Sequence, residues 1–378
     1  MGYCEGLIEA GLPLMRVHVA QSGFHPKYGG LGYDWTRADG FSEERYSFTE
    51  TPQEQWLQSP FYHMLLSGLD EYRERLSTRN APSAFPLLND LRDIGATDYF
   101  AMGLVLSKQG EREQIDPDDP NEGLMISWSS DGPDGFSDDQ LDLIRAGLPY
   151  LGLGLKSASN RQMARDLLGV YLGREAGGRV LSGDIQRGDI QTINAVICYF
   201  DLTGFTRLTE ATAGDALIAM LNDYFGIAVE AVQEQGGNIL KFMGDGMMAM
   251  FDFAKVDDAA VAALAAASAM RSRIDARNHE REAQNLPITD FTLALHAGEI
   301  LYGNIGAENR LDFTVIGPAV NLTARLSGMH RALGQDMIVT DKVREAVGET
   351  GHDLVSLGRY MLRGVAEPME LFTVYTPT

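Results

Sequence analysis

The sequence predicts an α/β protein whose second half is a sandwich of helices on a mixed sheet. Strand-like and helix-like segments alternate from residue 190 onward, and the run INAVICYF at 193–200 is apolar enough for a buried strand. The segment LKFMGDGMMAMF at 240–251 adds a hairpin, two apolar runs meeting where Asp-Gly favours a tight turn. Alternation of this kind builds a layered domain, with no internal repeat of the solenoid kind.

A chain of 378 residues is long enough to split into two or three domains, so a boundary is expected. The net charge of −22 argues against nucleic acid and against insertion at an anionic membrane surface. A polyphosphate substrate would therefore have to bring its own metal ions or meet a local cluster of Lys and Arg. Cys4 and Cys198 are too few for a disulfide framework or a thiolate metal site, and Cys198 is expected to pack in its strand. No stretch approaches the roughly 18 consecutive apolar residues of a membrane helix, and the amino terminus lacks the basic start of a signal peptide. A soluble, cytoplasmic protein is expected.

The first segment, residues 1–155, opens with a helix and glycine-rich turns around Gly29, Gly30 and Gly32. Polar helices are expected near 53–78 and 86–94, then strands at Tyr99–Ser107 and Gly123–Ser129 joined by the acidic loop KQGEREQIDPDDPNE. Ser137 is positioned to cap a helix carrying Leu141, Ile144, Leu148 and Leu151 at helical spacing. Residues 156–189 read as a helical linker, with a stripe of Met163, Leu167, Val170 and Tyr171, an interruption at Gly169 and an end at Gly177-Gly178. Such a stripe pairs with its own copy in a dimer or packs on its own domain.

Residues 190–378 form the second domain. After the first strand come a helix over 215–235 ending at Gly236-Gly237, the hairpin, and an alanine-rich helix capped by Asp257-Asp258 and running through Arg277. Strands at Phe291–His296 and Asp312–Ile316 and a helix from Pro318 to His330 follow.

The chemistry gathers at the strand ends. Asp201 closes the first strand, and Leu202-Thr203-Gly204-Phe205-Thr206 forms a turn of small residues suited to cradling phosphate oxygens before a helix. If that strand lies beside the hairpin, Asp201 and Asp245 meet as a carboxylate pair, which a divalent cation would neutralise. Asp245 alone would read as a turn residue. Lys241 is harder to explain, since it shares a strand face with Ile239 and Met243 in this reading and lysines are rarely buried without a partner. Asn321 and Arg325 stand four apart on one helix face, where they could stabilise negative charge on a phosphate, while Leu322, Leu326 and Met329 face the core.

The segments AVICYFDLTGFTRLTE, ILKFMGDGMMAMF and LHAGEILYGNIGAENRLDFTVIGPAVNLTARL, in that order within about residues 190–376, resemble the catalytic domain of class III nucleotidyl cyclases. The resemblance implies that Asp201 and Asp245 bind two divalent cations per site, Mg²⁺ or Mn²⁺, with the Leu202 carbonyl as an extra ligand. It further implies that Asn321 orients the ribose, that Arg325 contacts the α-phosphate, and that Lys241 reads adenine with Thr314 at its partner position. Many family members carry Asp where Thr314 stands. Arg363 falls where a triphosphate-binding cation is common, whereas Thr292 stands where an arginine often helps. His296 is expected to be a packed strand residue. The family's sites are composite, so a homodimer making cyclic AMP and pyrophosphate from ATP is implied.

Guanylate cyclase is the neighbouring alternative, opposed by Lys241, because guanine presents a donor at N1 where adenine presents an acceptor. A diguanylate cyclase is disfavoured by the absence of its Gly-Gly-Asp/Glu-Glu-Phe hairpin. A catalytically weak nucleotide-binding regulator is disfavoured because both acids, the Asn and the Arg are all present. The first segment resembles GAF-type sensor domains through GLMISWSSDGPDGFSDDQLDLIRAGLPYLGLGL. A regulatory module responding to an unidentified small molecule or other input is implied, with a ligand-free dimerisation scaffold as the alternative.

Overall fold

The computed structural model describes residues 2–25, 28–47, 53–78, 81–105, 123–184, 186–348 and 354–375. They cluster into two compact units, Met1–Leu167 and Leu168–Thr378.

The first unit is an antiparallel sheet of β1 (Leu14–His25), β2 (Tyr28–Thr36), β3 (Gly40–Ser47), β4 (Glu71–Arg75), β5 (Asp98–Val105) and β6 (Gly123–Ser130). Their order in space is β3-β2-β1-β6-β5-β4. One face buries Val17, Val19, Phe100 and Trp128 under Cys4 and Leu7 of the first helix and Leu141, Ile144 and Leu148 of helix Asp138–Leu172. The other face packs Tyr99 and Ala101 against Phe61, Met64, Leu88 and Leu91. Ser137 caps as expected: its hydroxyl accepts from the Gln140 N–H at 3.3 Å while its own N–H donates to the Gln140 side chain at 3.0 Å.

Two expectations for this unit are corrected. Gly29, Gly30 and Gly32 lie inside β2 and make no turn. The Tyr46 ring of β3 lies over Gly30 and Gly32, and a Cβ on Gly32 would stand 2.9 Å from its hydroxyl, so glycine here admits a cross-strand aromatic. The helix expected over 53–78 is two short helices, Glu54–Leu57 and Pro60–Ser67, followed by β4. Pro60 starts the second with Ser59 as its cap, and Gly68, at φ 63°, ends it. The acidic loop, with Ser107 of the strand before it, lies outside the described residues.

The second unit is an eight-stranded sheet of β7 (Ile190–Leu202), β8 (Asn238–Met243), β9 (Gly246–Asp252), β10 (Phe291–Ala307), β11 (Arg310–Ile316), β12 (Met337–Thr340), β13 (Leu354–Tyr360) and β14 (Met369–Val374). It runs β13-β14-β12-β10-β7-β9-β8, with β11 paired to β10. Among the described residues only the β10–β12 pairing is parallel, so the sheet is mixed, as the sequence predicts, and mainly antiparallel. Period-two alternation divides β7 between two cores. Val196, Cys198 and Phe200 face helices Gly214–Glu234 and Ala259–Ala283, whose small alanines allow close approach. Ile193, Ala195 and Ile197 face the other way, toward Ala176, Tyr302, Phe313 and Val315.

The helical linker also differs from expectation. The long helix passes through Gly169 and stops at Leu172, and Gly173, at φ 84°, makes the break. Gly177 and Gly178 lie inside a second helix, Arg174–Leu181, where a Cβ on Gly177 would come within 2.6 Å of the Leu168 carbonyl. β10 continues eleven residues past His296, to Ala307, since Gly298 and Gly303 admit close neighbours instead of ending the strand. The alanine-rich helix extends to Ala283, and Asp258 precedes it without a side-chain cap bond. The helix from Pro318 stops at Ser327, ahead of a separate turn at His330–Leu333.

Candidate active site

The antiparallel register of β7 with β9 sets Asp201 opposite Gly246. Asp245 occupies the β8–β9 turn beside it, and its carbonyl accepts from the Leu202 N–H at 3.1 Å. A side chain on Gly246 would meet the Asp201 carboxylate, its Cβ only 2.9 Å from Oδ1, so this glycine makes room for the acid. No Lys, Arg or His pairs with either carboxylate among the described residues. Burial, and then the Asp245 charge, push the half-buried Asp201 carboxyl up to about 6.

These two acids are joined by no third His, Cys, Asp or Glu in a metal-binding group among the described residues. Such a pair suits a hard divalent cation that completes its shell with water, a backbone carbonyl and substrate phosphates, and it lacks the ligands of a structural zinc site. Leu202, whose carbonyl is the candidate extra ligand, ends β7 with its side chain buried.

The raised Asp201 value has a consequence for stability. Between its ordinary value of 3.8 and about 6, the folded chain holds this proton more tightly than the unfolded chain does, so stability falls as pH rises through that window. Discounted for solvent screening, the effect is about 1 kcal/mol. Asp201→Asn is therefore expected to melt about 2–4 °C above the parent at pH 7 in a metal chelator, with a flatter pH profile. Melting curves from pH 4 to 8 check this, and identical curves for the two proteins would show that neither burial nor the Asp245 charge raises the Asp201 carboxyl in the folded chain.

The Thr203–Thr206 turn is held by a network that the sequence does not reveal. The Thr203 N–H donates to the Asp290 carbonyl at 2.8 Å, and the Thr203 carbonyl accepts from the Thr289 hydroxyl at 2.7 Å. Thr289 is fixed in turn, its N–H donating to the Tyr224 hydroxyl at 3.1 Å and its carbonyl accepting from Asn278 at 2.8 Å. Gly204, at φ 69°, starts helix Phe205–Ala211, leaving the first N–H groups of that helix without intrahelical partners. Phe205 packs toward the core, while Thr203 and Thr206 are exposed.

Lys241 finds its partner across the sheet, its Nζ donating to the Thr314 hydroxyl of β11 at 3.2 Å. The face assigned to it is corrected in part: Lys241 shares its face with Met243 but not with Ile239. A bulge between Ile239 and Lys241 pairs Ile239 with Ala249 but Lys241 with Met248. The extra residue flips the alternation, so Ile239 joins the core under helices Gly214–Glu234 and Ala259–Ala283 while Leu240 and Met243 pack on the opposite one.

Asn321 and Arg325 are exposed on helix Pro318–Ser327, anchored by buried Leu322 and Leu326 with partly buried Met329. The Arg325 guanidinium lies against Gly364, where a Cβ would be 3.1 Å away, and so adjoins the loop that carries exposed Arg363. Arg325 forms no ion pair with an acid among the described residues. Three groups thus form, the two acids, the Lys241–Thr314 pair and the Arg325–Arg363 corner, and no hydrogen bond links one group to another among those residues. Thr292 sits opposite Asp201 in the β7–β10 register. His296 is buried and bonded to the Thr340 hydroxyl at 2.9 Å, and burial lowers its imidazole to about 4. Burial also pushes the Cys198 thiol up to about 12, which leaves it inert.

Helices Gly214–Glu234 and Ala259–Ala283 cover one face of the sheet, helix Pro318–Ser327 lies on the other, and the paired acids stand at the hairpin tip. Residues 189–376 match the family model of the adenylate and guanylate cyclase catalytic domain. That part of the chain belongs to the class III adenylate/guanylate cyclases. It is similar to an adenylate cyclase of Anabaena cylindrica, 34% identical over 164 residues that cover 42% of this chain and 32% of that protein. Adenylate cyclase 1 of Rhizobium meliloti is 32% identical over 146 residues, covering 38% of this chain and 22% of that one. The chain therefore spans well under half the length of these relatives. A bacterial light-regulated adenylyl cyclase shares the fold, with a TM-score of 0.51 at 20% identity over 72% of this chain and 85% of that one. Among the described residues, no helix is long and apolar enough to cross a membrane.

Proposed function

We propose that this chain converts ATP to 3',5'-cyclic AMP and pyrophosphate at two sites shared across a homodimer. The observation that carries the base assignment is the Lys241–Thr314 hydrogen bond of 3.2 Å. Adenine offers an acceptor at N1 and a donor at N6, which match an ammonium donor and a hydroxyl able to accept. Thr314 is a weaker acceptor than the Asp of many relatives, so selectivity rests mainly on the lysine.

In the reaction the ribose 3'-oxygen attacks the α-phosphorus in line, and the bond to the β-phosphate oxygen breaks as pyrophosphate leaves. Divalent cations held by Asp201, Asp245 and the Leu202 carbonyl would supply positive charge to the triphosphate and acidity to the 3'-hydroxyl. Asn321 orients the ribose, Arg325 meets charge building on the α-phosphate, and Arg363 contacts the triphosphate. The N–H groups of the Thr203–Thr206 turn, with Gly204 and Phe205 at its centre, receive phosphate oxygens. Exposed Arg325 and Asn321, with no acid paired to the guanidinium among the described residues, support a site completed by a partner subunit.

We assign residues 1–155 to a GAF-like regulatory domain, 156–189 to a transducing linker and 190–378 to catalysis. Product analysis with ATP or GTP, each with Mg²⁺ or Mn²⁺, is expected to yield metal-dependent cyclic AMP that is lost in Asp245→Ala. Predominant cyclic GMP would reverse the base assignment, and no product from either nucleotide would favour a binding module. The same assay after removal of residues 1–155 should give altered kinetics, and unchanged kinetics would remove the regulatory role.

A further inference from the structure

Helix Arg174–Leu181 packs on the face of the catalytic unit's sheet from which Lys241 and Thr314 make their pair. Ala176, 3% exposed, lies in one cluster with Tyr302, Phe313 and Val315. The Arg179 guanidinium stands 5.0 Å from the centre of the Phe313 ring and 5.8 Å from that of Tyr302. The two rings meet edge to face at 4.7 Å. Asp184 pairs with the same guanidinium, and Gln191 accepts from it at 3.3 Å. Phe313 immediately precedes Thr314, and Tyr302 precedes Gly303, the residue opposite Thr314 in the β10–β11 register.

The helix reaches the other strand as well. A Cβ on Gly173 would lie 2.9 Å from the Ile239 carbonyl, at the bulge that sets the direction of Lys241. A single short helix therefore bears on both strands that supply the pair, and its Arg179 sits where the Tyr302 and Phe313 rings meet.

We propose that Arg179 is a positioning residue for nucleobase selection. Its planar guanidinium, stacked on Tyr302 and Phe313 and anchored by Asp184, holds β11 against β8 and so fixes the separation of Lys241 from Thr314. Lysine cannot replace it, since a compact ammonium lacks the flat face and the forked donors. The inference rests on the reading of Lys241 and Thr314 as the base-contacting pair.

The test compares kcat/KM for ATP and GTP, and the Mg²⁺ concentration for half-maximal activity, in the full-length parent and in Arg179→Met, Arg179→Lys, Asp184→Asn and Lys241→Ala. Arg179→Met is expected to lower the ATP-to-GTP ratio about fivefold, through KM for ATP, with the Mg²⁺ requirement unchanged. Arg179→Lys should fail to restore the ratio, and Asp184→Asn should move it the same way by a smaller factor. A merely structural role would lower turnover of both nucleotides in proportion, and that outcome overturns the proposal. Should Arg179→Met not fold, Asp184→Asn decides alone, and an unchanged ratio there also overturns it. If Lys241→Ala itself leaves the ratio intact, the base-contact reading fails and takes this inference with it. A ratio lost in Lys241→Ala but kept in the Arg179 variants refutes the positioning role only.

Discussion

Mixing Asp201→Ala protein with Arg325→Ala protein should restore activity that neither has alone. Each substitution removes a group on which the proposed reaction depends, so each homodimer is expected to lose about 10²–10³-fold or more in kcat. If the acids of one protomer work with the arginine of its partner, a mixed dimer holds one site with both lesions and one with neither. Random exchange of subunits makes about half of the dimers mixed, and half of their sites intact, so about a quarter of the parent activity should return. The exposed position of Arg325, with no ion pair among the described residues, is what an arginine awaiting a second subunit would show. Co-expression with two affinity tags isolates the mixed dimer for assay. Continued inactivity of that purified species would sink the shared-site reading, because a site contained in one chain would keep a lesion in every copy.

The second large effect concerns the base. Lys241→Glu is expected to lower kcat/KM for ATP by about 100-fold or more, because a carboxylate faces the acceptor N1 of adenine with no proton to share. Guanine carries N–H groups at N1 and N2 that the new carboxylate can accept, so GTP should become the preferred nucleotide. Thr314 tolerates the exchange, since a hydroxyl can donate as well as accept. The fold should tolerate it too, because Lys241 is only partly buried and its described side-chain partner is a hydroxyl. Steady-state kinetics with both nucleotides decide the matter, and an unchanged preference for ATP would take Lys241 out of the base site.

Much of the site was legible because its signals are local. The acid at the end of β7, the Asp-Gly hairpin and the Asn–Arg spacing on one helix are each read within a few residues. The carboxylate pair was expected on the condition that β7 lies beside the hairpin, and the strand register meets that condition. The bulge beside Lys241 was not legible, because an extra residue in a strand shows only against the strand it pairs with. Gly30 and Gly32 of β2 misread as turns for the same reason, since the Tyr46 ring that occupies their space comes from a different strand. Thr289 gave no signal at all. Its role depends on Tyr224 and Asn278, residues of two helices that meet only in the folded chain.

The sequence by itself determined the class of fold, the family resemblance and the identities of the acids, the lysine and the arginine, because hydrophobic period, turn chemistry and motif spacing are properties of short stretches. Tertiary structure alone decided which face Lys241 takes, how the Thr203 turn is braced and what Arg179 touches. Those outcomes depend on strand register and on contacts between residues tens to more than a hundred positions apart, and closing such distances is the work of the whole fold.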